Sequence, residues 1–506
     1  MNRKQIYSMV RERVLTLRER GPVVLLDSQL SGHRASGKIY LAGLPRRILS
    51  FRADIQPDAT AEKTDAVTSP VTDTGSSPMP EQGSGPTPER GSDPTPERGP
   101  GPMPERGSGP GIKSGTLKAV PWEQLRQFRS ATKGMILGYL GYDLKNYTED
   151  LVSANPDEVL APDMWFMSPG ILMEIDPDIG NVIYLAGDED MLNGGEVMDS
   201  QDGECEKGLP KKKPAIGPVN SGMAYPAYRD LINEARRRIG EGDFYEINLT
   251  NQLRADFEGD TYDLFEAMRE AGPVPFASYI SGIDGTTDIC CASPERFLAR
   301  DGGRVVSEPI KGTVAAGMNA REDHEAVSRL RNSAKDQAEN LMIVDLVRND
   351  LGRIAVKGSV KVDALFEIQS FKTVHQMVSA ISAEVPPASD PVSIIKACYP
   401  MGSMTGAPKI SAMKSIEELE NYRRGIYSGA IGYIKENGDF DFNVVIRTAV
   451  VKDGRLFYCT GGAITGDSDP ELEWEESWIK ARALLRVFGK KTENSISEMI
   501  PARSGL

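Results

Sequence analysis

Histidine is scarce in this chain: His33, His324 and His375 are the only three in 506 residues, so a soft-metal centre has few ligands to draw on. The five cysteines, Cys205, Cys290, Cys291, Cys398 and Cys459, are odd in number and contain no CxxC. That excludes a closed disulfide frame or a zinc ribbon and fits reduced thiols in a core. Positive charge is short as well. A net charge of -14 and a sequence pI of about 5.0 leave no electrostatic footprint for nucleic acid, and an acidic membrane surface would repel the protein. No stretch approaches the roughly 18 apolar residues of a membrane helix. The opening MNRKQIYSMVRERVLTLRER sets charge between Ile6, Val10, Val14 and Leu17 at helical spacing, and has no unbroken apolar core of a secretory signal. A cytoplasmic enzyme is expected.

Low-complexity sequence divides the chain. From Pro80 to Gly111 an octapeptide recurs as PEQGSGPT, PERGSDPT, PERGPGPM and PERGSGPG. Such Pro, Gly and charge content buries almost nothing, so residues 57–116 are expected to form a disordered insert within an N-terminal region, 1–186. A second polar stretch, 187–221, carries an acidic run and then Lys211, Lys212 and Lys213, and reads as a linker to a region 222–490, followed by a flexible tail, 491–506.

After the linker, a helix is expected from Ala224 to Ile239, stopped by Gly240. The segment FYEINLTNQL alternates Tyr245, Ile247 and Leu249 with Glu246, Asn248 and Thr250, as a strand with one core face and one polar face would. Helix and strand patterns then mix without a βαβ rhythm, which argues for α+β with antiparallel sheet and against a Rossmann arrangement.

Chemistry-bearing residues gather in a few segments. SAKDQAENLMIVDLVRNDLGRI reads as a helix with Ser333 and Asp336 in capping-box spacing and Glu339 early in it. DPELEWEESWIKARALLRVFG reads as another, with Glu473, Glu476 and Lys480 on one stripe. On spacing alone that stripe is equally a solvated, ion-paired face. If Glu339 meets Glu473 and Glu476, the all-oxygen set suits a hard cation such as Mg2+. Lys311 in EPIKGTVAAG sits between Pro309 and Gly312, in a tight segment where partial desolvation would lower its pKa and supply a neutral amine; a surface turn lysine is the plainer reading. Glu295 in CASPERFL is either a site acid or a structural partner of Arg296. MGSMTGAPK and YCTGGAITGDSDP look like glycine loops that could cradle an anion, yet neither is a P-loop.

Taken in order, SPERF, PIKGT, AENLMIVDLVRNDLGR, GSMTGAPK, RGIYSGAIGY, IRTA and the terminal ExxExxxK resemble the chorismate-utilising enzymes: anthranilate, aminodeoxychorismate, isochorismate and salicylate synthases. The resemblance covers nearly all of 224–490, and LLDSQLSGHRASG is more weakly similar to the first-domain LLES element of anthranilate synthases. It implies an anthranilate synthase component I-like fold of antiparallel sheets flanked by helices. It also implies that Glu339, Glu473 and Glu476 surround Mg2+, and that Thr313, Tyr427, Arg447, Gly461 and Lys480 bind the carboxylates and enolpyruvyl group of chorismate.

Within the family, PIKGT marks the aminodeoxychorismate synthases that work through a covalent lysine, whereas anthranilate synthases show PIAGT. The resemblance therefore implies that Lys311 attacks C2 of chorismate, Glu295 protonates the leaving 4-hydroxyl, and ammonia adds at C4 and expels the lysine. Glu246 stands where water-adding members carry a lysine base and amine-adding members usually carry glutamine. In TVHQMVSAI, Gln376 takes the slot where many relatives put a histidine, and His375 is one residue early, a core or surface residue. With no nucleophile-elbow cysteine in the chain, ammonia is expected from a separate glutamine amidotransferase subunit. Anthranilate synthase component I is the nearest alternative; a non-catalytic chorismate or tryptophan binder is a remote one.

Overall fold

Local capping and apolar spacing set the helices. In the computed structural model, which describes residues 1–28, 37–53, 120–193, 213–371 and 374–489, the helix Arg3–Arg18 starts at a capping box of Asn2 and Gln5 and buries Ile6, Val10, Val14 and Leu17. The helix Tyr225–Glu241 runs through Gly240 and stops at Gly242, whose φ of 88° is the left-handed end that glycine supplies; the expected stop at Gly240 is corrected by two residues. Ser333 caps Ala334–Gly352 by accepting from the Asp336 amide, and Asp469 caps Pro470–Val487 through the amides of Glu471 and Leu472.

The strands join in one antiparallel succession. It runs from Glu246–Glu258 through Arg455–Ile464, Thr448–Lys452, Thr287–Ser293, Phe276–Ser281 and Val23–Asp27 to Ile39–Phe51. It continues through Met164–Asp176, Ile136–Leu140, Ala430–Ile434, Phe440–Asn443, Arg296–Asp301 and Arg304–Glu308 to Val374–Glu384, which also pairs with Ile310–Ala315 and Lys361–Ser370. A block of strands from before residue 187 thus sits between strands from after residue 222 in the same sheet. The α+β reading with antiparallel sheet and flanking helices holds. The octapeptide insert and the tail lie outside the described residues; of the 187–221 stretch, Ala215–Ile216 and Asn220–Ser221 pair with Glu246–Glu258.

Two apolar clusters position the acid-bearing helices. Trp474, Trp478, Ala481 and Leu484 pack with Tyr228, Ile232, Ile247 and Leu249, the Tyr228 and Trp474 rings 5.1 Å apart. Ile343, Val344, Val347 and Leu351 pack with Ile381, Ala383 and Met401. Cys290, Cys291, Cys398 and Cys459 are free and buried, as expected of core thiols, and Cys205 lies outside the described residues. Among the described residues no helix is long and apolar enough to cross a membrane.

A buried ion pair links these parts. Arg424 donates to both carboxylate oxygens of Glu420 and to the backbone carbonyls of Met404 and Asn248, and lies 4.8 Å from the Tyr142 ring centroid. Each side chain of the pair is 1% exposed. Arg424→Met strands the Glu420 carboxylate in the core and is expected to cost about 3–5 kcal/mol, read as a lower urea midpoint; Arg424→Met with Glu420→Gln should lose less than the sum of the two single losses.

Candidate active site

The polar face of Glu246–Glu258 is buried, not open to solvent: Glu246, Asn248 and Thr250 are all enclosed. Ile247 and Leu249 form its core face as expected. Tyr245, expected on that same face, precedes the strand and is 68% exposed. Glu246 meets Lys311 across the site, with the lysine Nζ donating to Oε1 at 2.8 Å. The strand Ile310–Ala315 holds Lys311 beside Gly312, where φ is 83° and an added Cβ would lie 3.0 Å from the Asp336 side chain.

The sequence-based expectation of a neutral Lys311 amine is corrected by this geometry. Burial does act to lower its pKa, but the carboxylates of Glu246, Glu339 and Glu295 outweigh it and hold the ammonium above its ordinary value. Lys311 rests protonated, with its charge compensated inside the protein.

Glu295 is buried and does not pair with Arg296, whose guanidinium goes instead to Asp441 and Glu308. Its backbone is fixed by the Ser293 hydroxyl, which accepts from its N–H at 3.2 Å, and by the Val444 amide, which donates to its carbonyl at 3.0 Å. Burial pushes the Glu295 carboxyl up to about 7, opposed by Ser403, Lys311 and Arg447. Ser403 is itself set by the Asn248 amide, which donates to its carbonyl at 3.2 Å. A carboxyl with that pKa holds a proton near neutrality and can deliver it to a leaving group.

Of the three acids expected to gather, Glu339 and Glu473 flank one ammonium: Lys335 lies 3.7 Å from each. Burial pushes Glu339 up to about 7, with Lys311 opposing and Glu246 adding to the rise, while burial and then Glu476 raise Glu473. Glu476 is held below the ordinary range by Lys480, which it meets at 2.8 Å. A Cβ on Gly462 would come within 3.1 Å of Glu473, 3.7 Å of Lys480 and 3.9 Å of Glu476, so these side chains crowd over one bare stretch of strand. Among the described residues no three His, Cys, Asp or Glu converge on a single metal position.

The remaining expected residues are placed as follows. Lys480 donates to the Gly461 carbonyl at 2.7 Å. Gly461 and Gly462 belong to a strand, opposite Thr250 and Leu249, and not to the anion-cradling loop expected from the glycines. Thr313 accepts from Gln376 at 3.5 Å. Arg447 follows Glu295 in the same charge cluster, with φ of 50° and its carbonyl accepting from the Ala292 amide. Tyr427 is buried among apolar side chains. His375 is buried at the far side of its strand, bonded to Ser370 and Asp323 at 2.8 Å each, which makes it structural. Lys335, Ser403 and Gly462 were not singled out by sequence. Lys335 stands four residues before Glu339 on the same helix face, a spacing that signals an ion pair.

Residues 110–486 match the profile of the chorismate binding enzymes. The chain belongs to this family. It is 39% identical to the aminodeoxychorismate synthase of Streptomyces griseus over 70% of its own length and 50% of that protein, so it spans about half of that relative. Against aminodeoxychorismate synthase component 1 of Escherichia coli it is 34% identical, covering 71% of this chain and 78% of the other. Anthranilate synthase component 1 of Aquifex aeolicus follows at 32%, over 74% and 78%. The fold is shared with the crystal structure of anthranilate synthase component I from Streptococcus pneumoniae, at a TM-score of 0.68 and 23% identity over 90% of this chain and 95% of that one.

For this chorismate-binding enzyme the raised Glu295 has a stability consequence. In the fold the carboxyl keeps its proton up to about 7 against an ordinary value of 4.5, so its contribution is complete below 4.5 and is lost as pH rises through 7. Glu295→Gln removes that loss, and should gain on the natural protein by up to about 3 kcal/mol between those pH values. Urea midpoints at pH 5 and pH 8 check it; a difference that does not change with pH removes the buried neutral acid.

Proposed function

We propose that this chain is an aminodeoxychorismate synthase of the component 1 type, converting chorismate and ammonia to 4-amino-4-deoxychorismate, the precursor of 4-aminobenzoate in folate synthesis. The observation that carries the reading is Lys311: a nearly enclosed lysine whose charge is coupled to Glu246, Glu339 and Glu295, one of them an acid that keeps its proton near neutrality. Relatives that bear the same activity in their names support it.

In this reading Lys311 forms a bond from Nζ to C2 of the ring, the two conjugated double bonds each shift one place, and the C4–O bond breaks. Glu295 gives its proton to the departing hydroxyl, which leaves as water. Ammonia then bonds to C4, the double bonds shift back and the C2–N bond breaks, returning the lysine. Arg447, Lys480, Thr313, Tyr427 and the Gly461 backbone hold the two substrate carboxylates and the enolpyruvyl group, so that the ring meets Lys311 in a reactive pose.

Glu339, Glu473 and Glu476 would supply carboxylate oxygens, the donor type that Mg2+ takes; two of them are raised by burial, and the Lys335 ammonium between those two marks a place that calls for positive charge. When bound, the ion neutralises and orients a substrate carboxylate. Ammonia comes from a glutamine amidotransferase subunit, in keeping with the component 1 name of the enteric relatives.

The test is a chromatographic product assay with chorismate, Mg2+ and ammonium. The expected product is 4-amino-4-deoxychorismate, released as 4-aminobenzoate only when a pyruvate-eliminating lyase is added; anthranilate without the lyase would mean the tryptophan-branch activity. Lys311→Ala should move the output toward the 2-amino product, because ammonia then meets C2 directly. An unchanged 4-amino product from that variant removes the covalent lysine. Glu339→Gln and Glu476→Gln should each abolish Mg2+-dependent turnover, and activity that persists in EDTA removes the metal.

A further inference from the structure

The covalent reading leaves one requirement unmet: an amine attacks, an ammonium does not, and Lys311 rests as an ammonium. Its proton needs a destination inside a site where Lys311 itself is only 10% exposed. The charged groups facing the lysine are Glu246 from the strand Glu246–Glu258, Glu339 from the helix Ala334–Gly352 and Glu295 ahead of the strand Arg296–Asp301; Glu476 on Pro470–Val487 also feels it. Among the described residues only Glu246 is joined to the Lys311 nitrogen by a hydrogen bond, at 2.8 Å. Glu295 is committed by the mechanism to the opposite task, giving a proton to the leaving hydroxyl.

We propose that Glu246 is the base that takes the proton from Lys311 before attack and returns it when the lysine is expelled. The inference rests on the covalent reading of Lys311. Three observations carry it. The Glu246 oxygen already accepts a hydrogen bond from the Lys311 nitrogen whose proton must move, so transfer needs no rearrangement. The second oxygen, Oε2, is buried without any hydrogen-bond partner, so no second donor competes for the carboxylate. The side chain is 1% exposed, so the proton is kept in the site and not lost to solvent.

The protons balance around the cycle. At rest the pair is ammonium and carboxylate, and transfer makes it amine and carboxylic acid. Attack at C2 uses the amine lone pair and sends water away with the Glu295 proton, leaving a secondary ammonium on the ring. Ammonia adds at C4, the lysine departs as a neutral amine and recovers its proton from Glu246, and the new C4 ammonium restores the proton on Glu295. Chorismate and ammonia become the amine and water, with no outside acid or base consumed.

Mass spectrometry of enzyme mixed with chorismate in the absence of ammonia tests it, by following a covalent adduct on Lys311 over time, alongside steady-state kcat and KM with ammonium. Glu246→Gln keeps the shape and should slow adduct formation at least about tenfold, with the loss in kcat and the chorismate KM little changed. Glu246→Asp should recover part of the rate, as a shorter base does and a packing defect does not. Equal adduct rates in the natural protein and Glu246→Gln would overturn the base while leaving the covalent lysine standing, as would a loss confined to KM. No adduct in the natural protein would bring down both.

Discussion

The arrangement of the site depends on one buried ion pair that takes no part in its chemistry. The Arg424 guanidinium reaches the carbonyl of Asn248, two residues from Glu246, and the carbonyl of Met404, next to Ser403. Its partner Glu420 accepts from both the amide and the hydroxyl of Thr250. One pair of charges thereby fixes the strand that carries Glu246, the turn that carries Ser403 and, through Ser403, the acid Glu295. Ion pairs this deep contribute little net stability because desolvation offsets the attraction. What this pair supplies is direction: each backbone carbonyl it satisfies has one angular setting, and the reactive side chains follow from those settings.

The sheet does the same on a larger scale. Strands from the first part of the chain sit between strands of the second, so that Val23–Asp27 is flanked by Phe276–Ser281, and Ile136–Leu140 by Ala430–Ile434. Antiparallel pairing sets neighbouring strands at a fixed spacing and register, and a one-residue slip would turn every polar side chain into the core. The Glu246–Glu258 pairing with Arg455–Ile464 shows what that register secures: it places Gly461 opposite Thr250 and leaves Gly462 bare beneath Glu473, Glu476 and Lys480.

Local features of this fold were legible in the sequence, and long-range ones were not. Ser333 caps its helix because a hydroxyl can reach an amide three residues on, and that relation is written in adjacent letters. Gly240 misled because a glycine inside a helix costs only about 1 kcal/mol and is tolerated, whereas the left-handed stop falls at Gly242. Gly461 and Gly462 read as a loop because glycine favours loops; in the structure Gly461 is small because the Leu249 carbonyl lies 2.1 Å from where its Cβ would be. The charge state of Lys311 was misread for a different reason. Its neighbours in sequence foretell burial, but the carboxylate that decides the balance, Glu246, is 65 residues away. The family motifs named the candidate residues, and only the assembled fold tells how their charges compensate one another.

That compensation bears on the proposed cation. Around the site stand the carboxylates of Glu246, Glu295, Glu339, Glu473 and Glu476, and the cations Lys311, Lys335, Lys480 and Arg447. With Glu295 and Glu339 each about half protonated near pH 7, these charges come close to cancelling. In the proposed activity chorismate would bring two carboxylates into that near-neutral enclosure, and like charges a few ångströms apart in a poorly solvated space repel by several kcal/mol. In the proposed reading, a divalent ion held by Glu339, Glu473 and Glu476 would raise the local charge by two, or by one where it displaced the Lys335 ammonium. Lys335 is suited to yield that place because it is 58% exposed on a flexible stem and can turn to water without leaving a charge buried. In the same enclosure the Lys311 and Glu246 pair can exchange its proton without changing the total charge.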